Sequence, residues 1–156
     1  MAEEIATRLR FSNDERSHIA ALVRHHVIRY DDTWTDGDVR RWIRRIGVPL
    51  MKDLFRLAIA DLQGKGVDVS EQVAALERLR ERSNQLLAAG AVLSTKDLAL
   101  RGGDLMRELS VPPGPIVGEV LQALVEVVTD EPADNERERL LGHARRLLSE
   151  RSAAPS

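Results

Sequence analysis

The chain has 156 residues and a formal net charge of −2; 43% of its residues are apolar, but only 2 Trp, 1 Tyr and 2 Phe are present. That length allows one domain or two small helical lobes, with a core packed mainly by Leu, Val, Ile and Ala. The lack of cysteine excludes disulfides, thiolate metal ligands and a cysteine nucleophile, and no run approaches the ~18 apolar residues of a membrane span.

Residues 1–10 lack the apolar core of a signal peptide, so a soluble, cytoplasmic chain without membrane contact is expected. Ser12 and Glu15 form an S-x-x-E capping box opening a helix to about Arg29. Its apolar stripe is Ile19, Leu22, Val23, His26 and Tyr30. Thr35 caps a second helix with Val39, Trp42, Ile43 and Ile46 buried and Gly47 as its stop. Pro49 suits the first turn of a third helix to about Gly64, with Leu50, Leu54, Leu57 and Ala58 inward. After the break at Gly64-Lys65-Gly66, a longer helix runs from Ser70 to about Ala89, with Val73, Leu76, Leu79, Leu86 and Leu87 apolar. Two short pieces follow, at 95–100 and 104–109. Pro112-Pro113-Gly114-Pro115 then starts a strongly apolar helix through Val128. Asn135 opens the last helix, to about Ser149, and the tail over 151–156 is expected to be disordered. No stretch alternates as a strand. The predicted fold is all-α, an array of about seven to eight helices, divided into segments 1–66 and 67–150.

Two adjacent histidines, His25 and His26, precede the acidic pair Asp31 and Asp32. Neighbours on a helix diverge by about 100°, so the histidines do not chelate one ion as an i, i+4 pair would. His18 and His143 add no ligand spacing. Asp31 and Asp32 fall in a loop, where Asx-type turn bonding accounts for them. A packed, hydrogen-bonded His26 is expected, and no complete metal or cofactor site is present.

The second helix carries more information. Residues 1–66 hold 12 basic and 10 acidic side chains, against 6 and 10 over 67–130 and 5 and 5 over 131–156. Off the apolar stripe lie Arg40, Arg41, Arg44 and Arg45, two i, i+4 pairs, while the acids Asp36 and Asp38 sit in the first turn and complement the dipole. Like charges at this spacing repel by ~0.2–0.5 kcal/mol per pair unless anions compensate. Salt bridges to other helices are one compensation. Phosphate oxygens, which guanidinium groups bind bidentately, are the other. The loops RGGDLM and PPGPIVG match no Walker or dinucleotide fingerprint and serve as helix punctuation, although helix N-termini can hold anions.

Several segments carry a resemblance. RLRFSNDE, ALVRHH, WTDGDVRRWIRRIG and LFRLAIADLQGKG stand in the order seen in bacterial tRNA nucleotidyltransferases of the CCA-adding enzyme and poly(A) polymerase family. LSTKDLALRGGDLMRELSVPPGPIVGEVLQALVEVV and NERERLLGHARRLL resemble the C-terminal body and tail of that family. The likeness spans about residues 5–149. It departs at GGDLM, where GRDLM is frequent, and at Ser110, where a glycine often precedes the PGP turn.

The resemblance implies an RNA-binding C-terminal body and tail portion whose parent acts in tRNA 3′-end processing. Catalysis in that family belongs to an N-terminal head, which uses Mg²⁺ with CTP or ATP; this chain has no matching carboxylate pair and is expected to be inactive in transfer. The resemblance also covers the end of an HD phosphohydrolase-like segment. It places His26 at a late ligand position and Asp61 in the following helix, as vestiges without the upstream ligands. The implied partners are tRNA or another structured RNA, and the catalytic head. Arg40, Arg41, Arg44 and Arg45 are the candidate phosphate contacts, with Arg24, Arg29 and Lys52 as secondary ones. Two alternatives remain at this point. One is a degenerate metal-dependent HD phosphohydrolase using His25, His26 and Asp61. The other is a helical interaction module, including a homo-oligomer joined through exposed apolar surface.

Overall fold

In the computed structural model, which describes residues 2–153, the chain is helical, with no strand among the described residues. The helices are α1 (Ala2–Arg8), α2 (Asn13–His25), α3 (Asp36–Ile46), α4 (Val48–Gln63), α5 (Ser70–Ala88), α6 (Gly102–Glu108), α7 (Pro115–Asp130) and α8 (Arg137–Ala153). Short 3-10 turns occupy Thr95–Asp97 and Pro132–Asp134. No helix among the described residues is long and apolar enough to cross a membrane.

Two compact units result, Met1–Leu86 and Leu87–Ser156. The division lies in the last turn of α5, rather than at Gly64-Lys65-Gly66 where the glycines suggested it. Most of α5 belongs to the first unit, where Leu76 and Leu79 are buried and Arg78 and Arg82 reach back to Asp32 and Asp36.

In the first unit, α3 and α4 form the packed centre. The Thr35 hydroxyl accepts the Asp38 N–H at 3.1 Å, and the Asp38 carboxylate accepts the Thr35 N–H at 2.9 Å. This reciprocal cap satisfies two backbone donors and fixes the phase in which Val39, Trp42, Ile43 and Ile46 are buried. Gly47, at φ 85°, donates to the Ile43 carbonyl at 2.8 Å, a left-handed closure that suits glycine. It lets α4 start at once, burying Leu50, Met51, Leu54, Phe55 and Ala58; Leu57 is only half-buried. The Trp42 and Phe55 rings meet with centroids 5.6 Å apart.

α2 behaves differently. It carries the expected Ser12–Glu15 box and packs on α1 and α4, yet none of its residues is buried. It also stops at His25, about a turn earlier than its apolar spacing predicts, because the His26 ring turns back onto the Val23 carbonyl at 2.7 Å. α1 was not expected; seven residues are too few to show a period.

The second unit is arranged around α7, against which α6, α8 and both 3-10 turns pack. Leu98, Leu100, Leu105, Val120, Leu124, Val125, Val128, Leu140, Leu141 and Ala144 form its core. Buried Thr129 returns its hydroxyl to the Val125 carbonyl at 2.7 Å. Asn135, expected to open α8, instead clamps the segment after the first 3-10 turn. Its amide accepts from the Ala99 N–H at 2.8 Å and donates to the Asp97 carbonyl at 3.1 Å. α8 then starts at Arg137 and continues through Ala153, so residues 151–153 of the expected disordered tail are helical; 154–156 lie outside the described residues.

Both departures from the family pattern have local explanations. A Cβ on Gly102 would lie 2.9 Å from a Val117 methyl, whereas nothing lies within 4 Å of one on Gly103. The second glycine of GGDLM is therefore the position with room for an arginine. Ser110 has φ 54°, the left-handed conformation that explains why glycine suits that place.

Candidate nucleic-acid interface

The segment between α2 and α3 is stiffened from two sides. The Asp31 carboxylate accepts the Thr33 N–H at 2.9 Å and the Thr33 hydroxyl, the local turn expected of it. From α5, Arg78 presents Nε and Nη2 to the two Asp32 oxygens at 3.2 Å each, and Nη2 also donates to Glu71 at 2.9 Å. One turn further along α5, Arg82 donates to the Trp34 carbonyl and to Asp36, both at 2.7 Å. Bonds to Glu71 and then Asp32 raise the Arg78 pKa; for Arg82 burial opposes charge, but bonds with Tyr30 and Asp36 outweigh it. Both stay cationic. Held this way, the half-buried Trp34 indole meets the Tyr30 ring in a T-shaped contact, with centroids 5.4 Å apart and planes at 77°.

Trp34 forms one side of a cleft of about 600 Å³ whose other lining residues are Thr33, Asp38, Arg41, Trp42, Arg44 and Arg45. Three arginines and one carboxylate, Asp38, are thus among the residues that line one space. The Thr35 hydroxyl and then its N–H hold Asp38 below the ordinary aspartate pKa, so that carboxylate stays charged. Arg41 Nη1 lies 3.5 Å from it, a long contact on a partly exposed pair. Arg44 is half-buried and Arg45 exposed.

The structure brings Arg41, Arg44 and Arg45 together and leaves the other candidates apart. Arg40 is half-buried outside the lining of this cleft. Arg24 lies in the last turn of α2 and Lys52 on α4, both exposed. Arg29 lines a second cleft, of about 430 Å³, with Tyr30, Asp32 and Arg78 among others. Sequence reasoning missed Trp34 and the two α5 arginines. The signal for Trp34 was its place immediately before the Thr35 cap, which ties it to the start of α3. Arg78 and Arg82 act across 46 residues, a relation that no local pattern discloses.

The histidines are engaged elsewhere. His26 is held on the Val23 carbonyl, as a half-buried cap rather than a member of a packed stripe. His25 is half-buried at the end of α2. Asp61, near the end of α4, pairs with Lys65 just beyond it at 3.2 Å, His18 lies 3.2 Å from Asp53, and His143 lies 2.6 Å from Asp134. Among the described residues, no three His, Asp or Glu side chains gather as a metal-binding group.

With this geometry in place, similarity to known proteins decides the family. The family model described as "tRNA nucleotidyltransferase domain 2 putative" matches residues 1–144. The chain belongs to this family. It is similar to the A-adding tRNA nucleotidyltransferase of Deinococcus radiodurans, 29% identical over 126 residues, covering 81% of this chain and 28% of that one. It is also similar to the CCA-adding enzymes of Lactiplantibacillus plantarum (30% over 91 residues; 56% and 22% covered) and Ligilactobacillus salivarius (31% over 93 residues; 60% and 20%). The chain therefore spans less than a third of the length of these relatives. No solved structure matches it. For this domain 2 family member, the arginine cleft lies within the matched region.

Proposed function

We propose that the chain binds tRNA, as the RNA-handling C-terminal portion of a tRNA nucleotidyltransferase that matures tRNA 3′ ends. The observation that carries this reading is the set of three α3 arginines bordering one cleft, in a member of this family. Guanidinium groups bind phosphate oxygens bidentately, and a cationic face bound to the RNA backbone positions a strand without reading its sequence. The Deinococcus relative, an A-adding tRNA nucleotidyltransferase, points the same way, to tRNA. Nucleotidyl transfer, with Mg²⁺ and CTP or ATP, belongs on this proposal to a separate catalytic head, and the chain alone does not extend tRNA.

The test is titration of the chain with a blunt acceptor-stem minihelix, annealed from two strands so that it has no loop, at several salt concentrations. Affinity falls steeply with salt and changes little with base sequence. Replacing Arg41 and Arg45 by alanine removes two phosphate contacts and flattens the slope of log affinity against log salt by roughly 1.8. Both side chains are at least partly exposed, so the fold is retained, as surface changes usually shift stability by less than ~0.5 kcal/mol. An unchanged slope in a folded double variant would reassign these arginines to intramolecular ion pairs.

A further inference from the structure

We propose that the cleft between Trp34 and the α3 arginines seats one unpaired nucleotide of an RNA strand, its base stacked on the Trp34 indole and its phosphate against the guanidinium groups. The inference rests on the RNA-binding reading and extends it from a backbone-tracking face to a site for a base. Three observations carry it. First, the space of about 600 Å³ falls within the range of small-ligand sites, ~300–1,000 Å³. Backbone tracking alone needs only a cationic surface. Second, an aromatic wall stands beside Arg41, Arg44 and Arg45, the combination of stacking platform and cationic groove that holds single strands. Third, Trp34 is positioned before any ligand arrives, by Arg82 on its carbonyl and by the T-shaped contact with Tyr30, which reduces the ordering cost of binding.

The same residues predict the kind of selectivity. The Thr33 hydroxyl and N–H are both given to Asp31, and the Asp38 carboxylate already accepts from Thr35. Few polar groups remain to read a base edge. Recognition rests on the ring face, which every base offers, so preference among bases is weak.

The experiment follows tryptophan fluorescence as the full chain is titrated with a single-stranded RNA tetranucleotide, an abasic strand of equal charge, AMP, and the blunt minihelix. The tetranucleotide quenches emission and binds more tightly than the abasic strand, while AMP, with its single phosphate, binds more weakly than either. Trp34→Leu abolishes that quenching and lowers tetranucleotide affinity roughly 5- to 150-fold, the range for losing one base–aromatic stack. Its affinity for the blunt minihelix, which offers no unpaired base, stays within about twofold. Equal binding of the base-bearing and abasic strands, or full quenching retained in a folded Trp34→Leu variant, overturns the inference. So does quenching by AMP with none by the tetranucleotide, which makes the site one for free nucleotides. If Trp34→Leu does not fold, the comparison of strands on the unaltered chain decides alone. Failure of these arms with salt-dependent minihelix binding intact removes the nucleotide site and leaves the RNA-binding reading standing. Failure of every RNA to bind removes both.

Discussion

The two units use similar sequence signals to different ends. In the second, α7 is apolar over most of its surface, and the core closes around it from α6, α8 and both 3-10 turns. In the first, α2 has a capping box and an apolar stripe as regular as any in the chain, yet no buried residue, and Val23 on that stripe is 45% exposed. Ile5, Leu9 and Phe11 nearby in sequence are exposed as well. Periodicity identifies the residues that share a face. Burial depends on a complementary surface that covers the face, and that lies outside any single helix. The first unit therefore combines a packed pair, α3 and α4, with an uncovered apolar stripe on α2, while the second closes its core around one helix.

The largest expected contrast is between two leucines. Leu124 on α7 is fully buried within its cluster, and Leu124→Ala should cost about 2–5 kcal/mol, a lost transfer term plus a cavity. Leu22 sits at the centre of the α2 stripe but is only half-buried, and Leu22→Ala should cost about 1 kcal/mol or less. Urea unfolding of both variants measures the difference. Equal losses would mean that α2 is covered in solution, by a second copy or another partner, and would break the comparison.

A smaller effect separates the neighbours Gly102 and Gly103. At Gly102 an added Cβ meets Val117, a β-branched side chain with little freedom on a helix, at 2.9 Å. Overpacking of this kind costs ~1–3 kcal/mol, more than the ~1 kcal/mol at most that glycine-to-alanine returns in a helix. Gly102→Ala should therefore destabilise, and Gly103→Ala, in open space, should stabilise by about 0.4–1 kcal/mol. Opposite shifts in the denaturant midpoint are the expected result. The same sign at both would show that α6 does not approach α7 as closely as the packing implies.

The all-α class, the α3 and α4 faces and the caps at Ser12 and Thr35 were legible because each rests on residues within a turn of one another. The end of α2 was not, since it depends on the His26 ring choosing a carbonyl over continuing the stripe. Nor was the unit boundary, since most of α5 belongs to the first unit, where Leu76 and Leu79 are buried and Arg78 and Arg82 reach Asp32 and Asp36 across 46 residues. The site was half legible. Arginine spacing pointed to α3, but the gathering of Arg41, Arg44 and Arg45 beside Trp34 follows from how the preceding loop is anchored. Arg40, equally prominent in the sequence, is not among that cleft's lining residues.

The smallest effect compares the two N-caps. Thr35 starts a buried helix and Ser12 an exposed one, yet each closes the same reciprocal box. Loss of such a hydroxyl costs ~0.5–2 kcal/mol, towards the low end where the helix end is free to fray. Thr35→Ala should thus cost more than Ser12→Ala, since fraying at Thr35 would also disturb the buried stripe and the placement of Trp34. The cost should depend on pH. Bonds from the Thr35 hydroxyl and N–H hold the Asp38 pKa below its ordinary value, about 3.9. A carboxylate lowered in the folded state stabilises the fold above its unfolded pKa, and loses that contribution as pH falls through the folded value. The penalty of Thr35→Ala is therefore greatest at neutral pH and shrinks below about pH 4. Thermal unfolding of both variants at pH 7 and at pH 3 measures it. A penalty unchanged by acid would mean that the hydroxyl caps the helix through its own bond alone, with the Asp38 carboxylate contributing nothing to the box.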